Sequence, residues 1–225
     1  MIALSDVAYG YGAAPLFDGV NLDLTPGSFH FLTGASGAGK TTFLRLCYGD
    51  LLPTRGQVAL FGAPSSGLSR DGIARARQRI GVVHQDCQFL DHLPVAENIT
   101  LPLTVADSKG RHTEENLAEL LAWVGLADRA DAMPPELSGG ERQRAALARA
   151  VIMDPEMILA DEPTGNVDWD MSVRLLTLLT ELNGMGKSVL MATHDLSLIR
   201  AAKTRTQARV LRLNGGKLAL AGADL

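Results

Sequence analysis

The sequence predicts an α/β fold built on a mostly parallel sheet, and three observations predict it. Short, almost uninterrupted apolar runs, Phe29–Thr33, Ile80–Val83, Met157–Ala160 and Ser188–Ala192, read as strands buried on both faces. Helical patterns separate these runs, and strands alternating with helices imply a parallel sheet covered on both sides. The first run passes directly into a glycine-rich loop and then a helix pattern carrying Phe43, Leu44 and Leu46.

The remaining elements follow in chain order. Val20, Leu22 and Leu24 alternate with Asn21 and Asp23, the period of a half-buried strand, and Pro26-Gly27 marks a turn. The first thirty or so residues thus read as strands joined by tight turns. A further hairpin is expected around Val58-Ala59-Leu60-Phe61, closed by Gly62. Arg70, Arg75, Arg77 and Arg79 read as the solvated face of a short helix. From Cys87 to Arg149 strand signals fade. Leu117, Leu120, Leu121 and Val124 mark an amphipathic helix, and residues 141–152 form another, with Arg142, Arg144 and Arg149 among alanines and leucines. A leucine-rich helix over 173–182 precedes the last apolar strand.

Composition excludes several classes. A chain of 225 residues holds one or two lobes, and 46% hydrophobic with 20% charged residues excludes wholesale disorder. A net charge of −4 carries no basic footprint, so no nucleic-acid partner is expected. Cys47 and Cys87 stand far apart and in no metal-ligand spacing, which argues against a disulfide scaffold or zinc site and fits a reducing compartment. No apolar run approaches the roughly 18–20 residues that span a bilayer. The opening Met1–Asp6 has no basic region of the kind that starts a signal peptide. Any membrane association is expected to come through a partner.

Gly34-Ala35-Ser36-Gly37-Ala38-Gly39-Lys40-Thr41, followed by Thr42, fits the phosphate-loop pattern G-x-x-x-x-G-K-[ST]. Glycines let successive backbone N–H groups curl around phosphate oxygens, and the following helix aims its first donors at the same anion. Lys40 is expected to reach the β- and γ-phosphates of ATP, and the Thr41 hydroxyl to hold Mg²⁺. A glycine-rich turn with an exposed lysine is the plainer alternative; the strand before the loop and the helix after it favour the nucleotide. The strand Met157–Ala160 ends in Asp161-Glu162. Asp161 is placed to bind Mg²⁺, directly or through water, and Glu162 to polarise a water for attack on the γ-phosphate.

Between these lies Leu137-Ser138-Gly139-Gly140-Glu141-Arg142-Gln143-Arg144, where a hydroxyl and bare backbone donors at a helix start face an anion. With the phosphate loop and the Asp-Glu strand, this run resembles the nucleotide-binding subunits of ABC transporters over essentially the whole chain. The resemblance implies a P-loop ATPase: a mostly parallel core sheet, an antiparallel β subdomain and a helical subdomain. Its divisions are 1–87 (first part of the core lobe), 88–150 (helical signature subdomain) and 151–225 (second part of the core lobe). It also implies an ATP-dependent head-to-tail homodimer, in which the Leu137–Glu141 signature of one subunit caps the ATP of the other.

Other roles come from the same resemblance. Tyr11 matches the aromatic that stacks on adenine, with Tyr9 as a nearby competitor. Gln85 matches the glutamine that senses Mg²⁺ and the attacking water. Asp168 matches the loop that communicates between subunits, and His194 the histidine that contacts the γ-phosphate. The runs Phe31–Gly34, Leu159–Asn166 and Val189–Asp195, with Gln85-Asp86, Phe89-Leu90 and Glu97-Asn98, are similar to the family's cell-division branch. That branch implies an FtsX-like integral membrane partner, at the division septum on the cytoplasmic face of the inner membrane, that regulates cell-wall hydrolysis. Ala160–Asn166 is shared with lipoprotein-release and macrolide-export ATPases. His84, Val167 and Cys87-Gln88 depart from the branch, where phenylalanine, leucine and Phe-Arg are usual, and they bear on partner contact. Phe89, Leu90, Leu93 and Leu101 are apolar in an otherwise irregular stretch. They either form a groove for an amphipathic helix of the membrane partner or seal the two lobes together.

Overall fold

In the computed structural model, which describes residues 1–12, 14–106, 114–165 and 167–221, five strands run parallel through the core. They belong to a six-stranded sheet ordered β10-β9-β3-β8-β7-β6, made of β3 (Phe29–Thr33), β6 (Ile80–Val83), β7 (Met157–Asp161), β8 (Ser188–Ala192), β9 (Arg209–Asn214) and β10 (Lys217–Leu220). Only the edge pair β9–β10 is antiparallel. Alternation explains the apolar runs. Phe29, Phe31, Ile158, Ala160, Val189 and Met191 point into one core cluster. Leu32, Met157, Leu159, Leu190 and Ala192 point into a second, on the opposite face. Both faces being covered, each strand must be apolar at nearly every position.

The second cluster is closed by α1 (Lys40–Cys47) and a separate antiparallel sheet ordered β2-β1-β4-β5, formed by β1 (Ile2–Tyr9), β2 (Phe17–Leu24), β4 (Arg55–Leu60) and β5 (Ala63–Pro64). Phe43 is fully buried there and meets Phe17 edge-on at 6.0 Å. The expected hairpin at Val58–Gly62 is present, turned by Phe61 and Gly62 at φ 50° and 88°.

The other face carries α3 (Val95–Val105), α4 (Glu114–Val124), α5 (Gly139–Val151), α6 (Trp169–Gly184) and α7 (Leu196–Lys203), while α2 (Arg70–Gln78) lies beside β6. The helices expected at 141–152 and 173–182 begin earlier than their apolar periodicity suggests. Ser138 and Asp168 act as N-caps, accepting hydrogen bonds from the N–H groups of Glu141 and Met171. Three features exceed the sequence expectations: α3, α7 and the β9–β10 hairpin. Leu101 consequently lies on a helix and not in an irregular stretch. Among the described residues no helix is long and apolar enough to cross a membrane.

Candidate active site

The C-terminal ends of β3, β6, β7 and β8 open into a cleft of about 700 Å³. Gly39 shows why the loop after β3 needs glycine. It caps α1 at φ 96°, and a Cβ there would stand 2.8 Å from Leu16 Cδ2 and from the Phe17 ring. Gly34 has no spare space either, since a Cβ would come within 2.7 Å of the Leu213 carbonyl oxygen. No side chain caps α1, so its first N–H groups face the cleft.

Lys40 crosses this cleft. Its Nζ donates to the Gly34 carbonyl at 3.1 Å and stands 3.2 Å from Glu162 Oε1. Glu162 Oε2 in turn lies 2.9 Å from His194 Nδ1. Glu162 sits just past β7 at φ 45°, a conformation disfavoured for a residue with a Cβ, and its N–H is fixed on the Ala192 carbonyl. Three charged or polar side chains, one from the start of α1 and two from the ends of β7 and β8, therefore form one chain across the cleft.

Asp161, the last residue of β7, has its Oδ1 buried with no hydrogen-bond partner. Burial pushes its carboxyl above the usual aspartate range, while a hydrogen bond from Thr41 pulls the other way. A buried, under-coordinated carboxylate beside a hydroxyl is a hard-oxygen donor set and fits Mg²⁺. No group of three His, Cys, Asp or Glu side chains among the described residues forms a protein-only metal cage. Remaining ligand positions thus suit phosphate oxygens and water.

The cleft brings together most of the residues expected from sequence. Tyr11, Gly34, Ala35, Ser36, Gly37, Gly39, Lys40, Thr41, Thr42, Gln85, Asp161, Glu162 and His194 all line it. Ala38 does not; its methyl packs back toward the core. Tyr11 is the better placed of the two tyrosines: it is exposed at the rim, with its hydroxyl 3.1 Å from Thr42 Oγ1, whereas Tyr9 packs on the second core. Leu16 and Gly165 also line the cleft; Gly165 belongs to the Leu159–Asn166 run, whereas nothing in its local sequence marked Leu16.

Other expected residues lie elsewhere. Leu137 is buried, and Ser138, Gly139, Gly140 and Glu141 form the N-terminus of α5, outside the chain's own cleft. Glu141 closes a capping box there, accepting from the Ser138 N–H at 2.9 Å and hydroxyl at 2.8 Å. Asp168 caps α6, and Asn166 of the same run lies outside the described residues. Leu90 and Leu93 sit in a loop stitched by the buried Asn98, which bonds both of their carbonyls. Phe89 is half-buried, with the guanidinium of Arg149 4.7 Å from its ring centre. Only Leu101 of the four apolar residues lines the neighbouring groove of about 560 Å³ between α2, α3 and β6.

With this geometry in place, comparison with known proteins is decisive. Residues 17–165 match the family model described as ABC transporter. The chain belongs to the ABC transporter family. Among its relatives, the "Cell division ATP-binding protein FtsE" of Haemophilus influenzae is 41% identical over 202 residues, covering 89% of this chain and 93% of that one. The protein of the same name from Escherichia coli K12 is 40% identical over 219 residues, 97% of each chain. A solved structure, the ATP-binding cassette MJ0796 as a post-hydrolysis dimer bound to ADP and Pi, superposes with a TM-score of 0.85 at 32% identity, covering 97% of this chain and 96% of that one. The ABC cassette described here is thus an ATPase, and most like FtsE. The expected fold class stands: a mostly parallel core with an antiparallel sheet and helices.

Proposed function

We propose that this ABC cassette is the ATP-hydrolysing subunit of an FtsEX-type complex in bacterial cell division. The observation that carries the chemistry is the Lys40–Glu162–His194 chain across the mouth of the glycine loop. Identity of about 40% to FtsE over nearly the full chain supports the cell-division assignment.

The loop N–H groups and Lys40 bind the phosphates of ATP, and Tyr11 offers its ring to adenine. Thr41, Asp161 and Gln85 are the residues that would hold Mg²⁺, in part through water. When bound, Mg²⁺ neutralises charge on the β- and γ-phosphate oxygens. Glu162 then takes a proton from a water that attacks the γ-phosphorus, the bond to the β–γ bridging oxygen breaks, and ADP and phosphate leave. His194 orients Glu162 and meets the γ-phosphate.

The N-terminus of α5 at Ser138, Gly139 and Gly140 caps the γ-phosphate bound to a second copy, Ser138 then turning from Glu141 to the phosphate, so two chains close head to tail around two nucleotides, with Asp168 at the seam. In this reading residues 1–87 and 151–225 form the nucleotide lobe and 88–150 the moving helical part. An FtsX-like integral membrane protein at the septum reads the movement on the cytoplasmic face and passes it to cell-wall hydrolysis. Its docking residues are Leu101, in the groove, with Phe89, Leu90 and Leu93 on the loop beside it.

The test is to trap Glu162→Gln with MgATP in native membranes and identify what copurifies by mass spectrometry. A membrane protein with few spans and a large external loop is expected. A lipoprotein-sorting or drug-export partner would overturn the division role and leave the ATPase intact.

A further inference from the structure

Gln85 stands at the rim of the cleft, and the main chain just after it is unusual. Cys87 and Gln88 are consecutive residues with φ of 59° and 45°. That left-handed region is disfavoured for any residue with a Cβ and persists only where the surroundings impose it.

Two side chains of α5 do so. Gln143 Nε2 donates to the carbonyl of Gln85 at 3.2 Å. Arg149 Nη1 donates to the carbonyl of Gln88 at 2.8 Å, and its Nη2 donates to the carbonyl of Cys87. Three of the four carbonyls from 85 to 88 are thus held by one helix. Gln143 is buried with its Oε1 unpartnered, and among the described residues its side chain's one hydrogen bond is that to Gln85. The Arg149 guanidinium lies against the Phe89 ring and the loop carbonyls.

We propose that Gln143 and Arg149 are positioning residues for Gln85: by holding the 85–88 main chain in its left-handed turn, they direct the Gln85 side chain into the cleft. The proposal rests on the role given to Gln85 above. Since α5 begins at Ser138, the helix that presents the signature to a second subunit is also the helix that holds the loop of Gln85.

The experiment is steady-state ATP hydrolysis by Gln143→Met, Arg149→Met, Gln85→Ala and the doubles with Gln85→Ala, with thermal melting of each. Each positioning variant is expected to lower kcat by about tenfold to a hundredfold while KM for MgATP and the melting temperature hold near wild type. The doubles are expected to be no slower than Gln85→Ala alone, because the residues act through it. Losses that multiply in the doubles overturn the proposal, as does an unchanged kcat in both positioning variants. A kcat loss that only tracks lost stability also overturns it, reducing both residues to loop anchors. Gln143→Met is close in shape and carries the test if Arg149→Met fails to fold. Unchanged kcat in Gln85→Ala would instead remove Gln85 from the mechanism, and this proposal with it. That result is distinct from one in which Gln85 matters and Arg149 does not.

Discussion

Lys40 Nζ lies 3.2 Å from Glu162 Oε1, with both side chains about nine-tenths buried. The cation proposed to bind phosphate and the carboxylate proposed to activate water therefore hold each other across the cleft. Entering ATP must draw Lys40 toward the phosphates, which leaves Glu162 to water and His194. In the proposed mechanism, binding and unmasking of the base are therefore coupled through this ion pair.

Lys40→Met is expected to weaken ATP binding by about 2 kcal/mol, roughly thirtyfold, through loss of a charge-assisted contact. It also strands Glu162 as a buried carboxylate, which should cost about 1–3 kcal/mol of stability without nucleotide. The double variant Lys40→Met/Glu162→Gln should recover much of that stability, since removing both partners leaves no uncompensated charge. Nucleotide titration and thermal melting check both halves. Wild-type affinity in Lys40→Met would remove the lysine from the phosphate site.

Glu162→Gln keeps the shape of the side chain and a contact for His194 Nδ1, now 2.9 Å from Oε2, but cannot accept the proton. Phosphate release should fall roughly 10²- to 10⁴-fold, while ATP still binds and a dimer accumulates on a sizing column. Turnover at the normal rate would show that another group takes the proton.

The parallel core was legible because strands covered on both faces leave uninterrupted apolar runs, as at Phe29–Thr33 and Met157–Asp161. The β9–β10 hairpin escapes that criterion. Arg209 and Arg212 interrupt its apolar residues, although Asn214-Gly215-Gly216, with both glycines at positive φ, is a turn signal. The helix α3 is obscured by Pro102 within it and by its β-branched residues. In the cleft, the loop and the Asp161-Glu162 pair are contiguous in sequence and so were readable. The contacts that organise them are not: Gln143 meets Gln85 across 58 positions, and no local pattern encodes such a pairing.

Acid sensitivity should trace in part to Glu141. The Ser138 N–H first, then the Ser138 hydroxyl, hold its carboxyl below the ordinary glutamate value of 4.5; burial opposes them, and Arg129 adds a lesser pull in their direction. A carboxyl whose folded pKa is depressed stabilises the fold above its unfolded pKa, and loses that contribution as pH falls through the folded value. Wild type and Glu141→Gln should therefore differ in unfolding free energy near neutral pH and converge as pH drops below 4.5. Denaturant unfolding across that range measures it, and a gap that stays constant with pH would sink the idea.

Ser138 separates the two roles of the signature. Its hydroxyl caps α5 within the chain, accepting from the Glu141 N–H at 3.3 Å, yet it does not line the chain's own nucleotide cleft. Ser138→Ala should therefore cost about 0.5–2 kcal/mol of stability through the lost cap and leave ATP binding by the monomer unchanged. Ser138→Arg adds a bulky cation at an exposed helix start, where the helix dipole already repels positive charge and where the proposed dimer seats the γ-phosphate bound to the second subunit. In a Glu162→Gln background it should bind MgATP normally and remain monomeric on a sizing column. Loss of ATP binding would mean that Ser138 serves its own cleft, and a dimer that survives the arginine would rule out the head-to-tail arrangement.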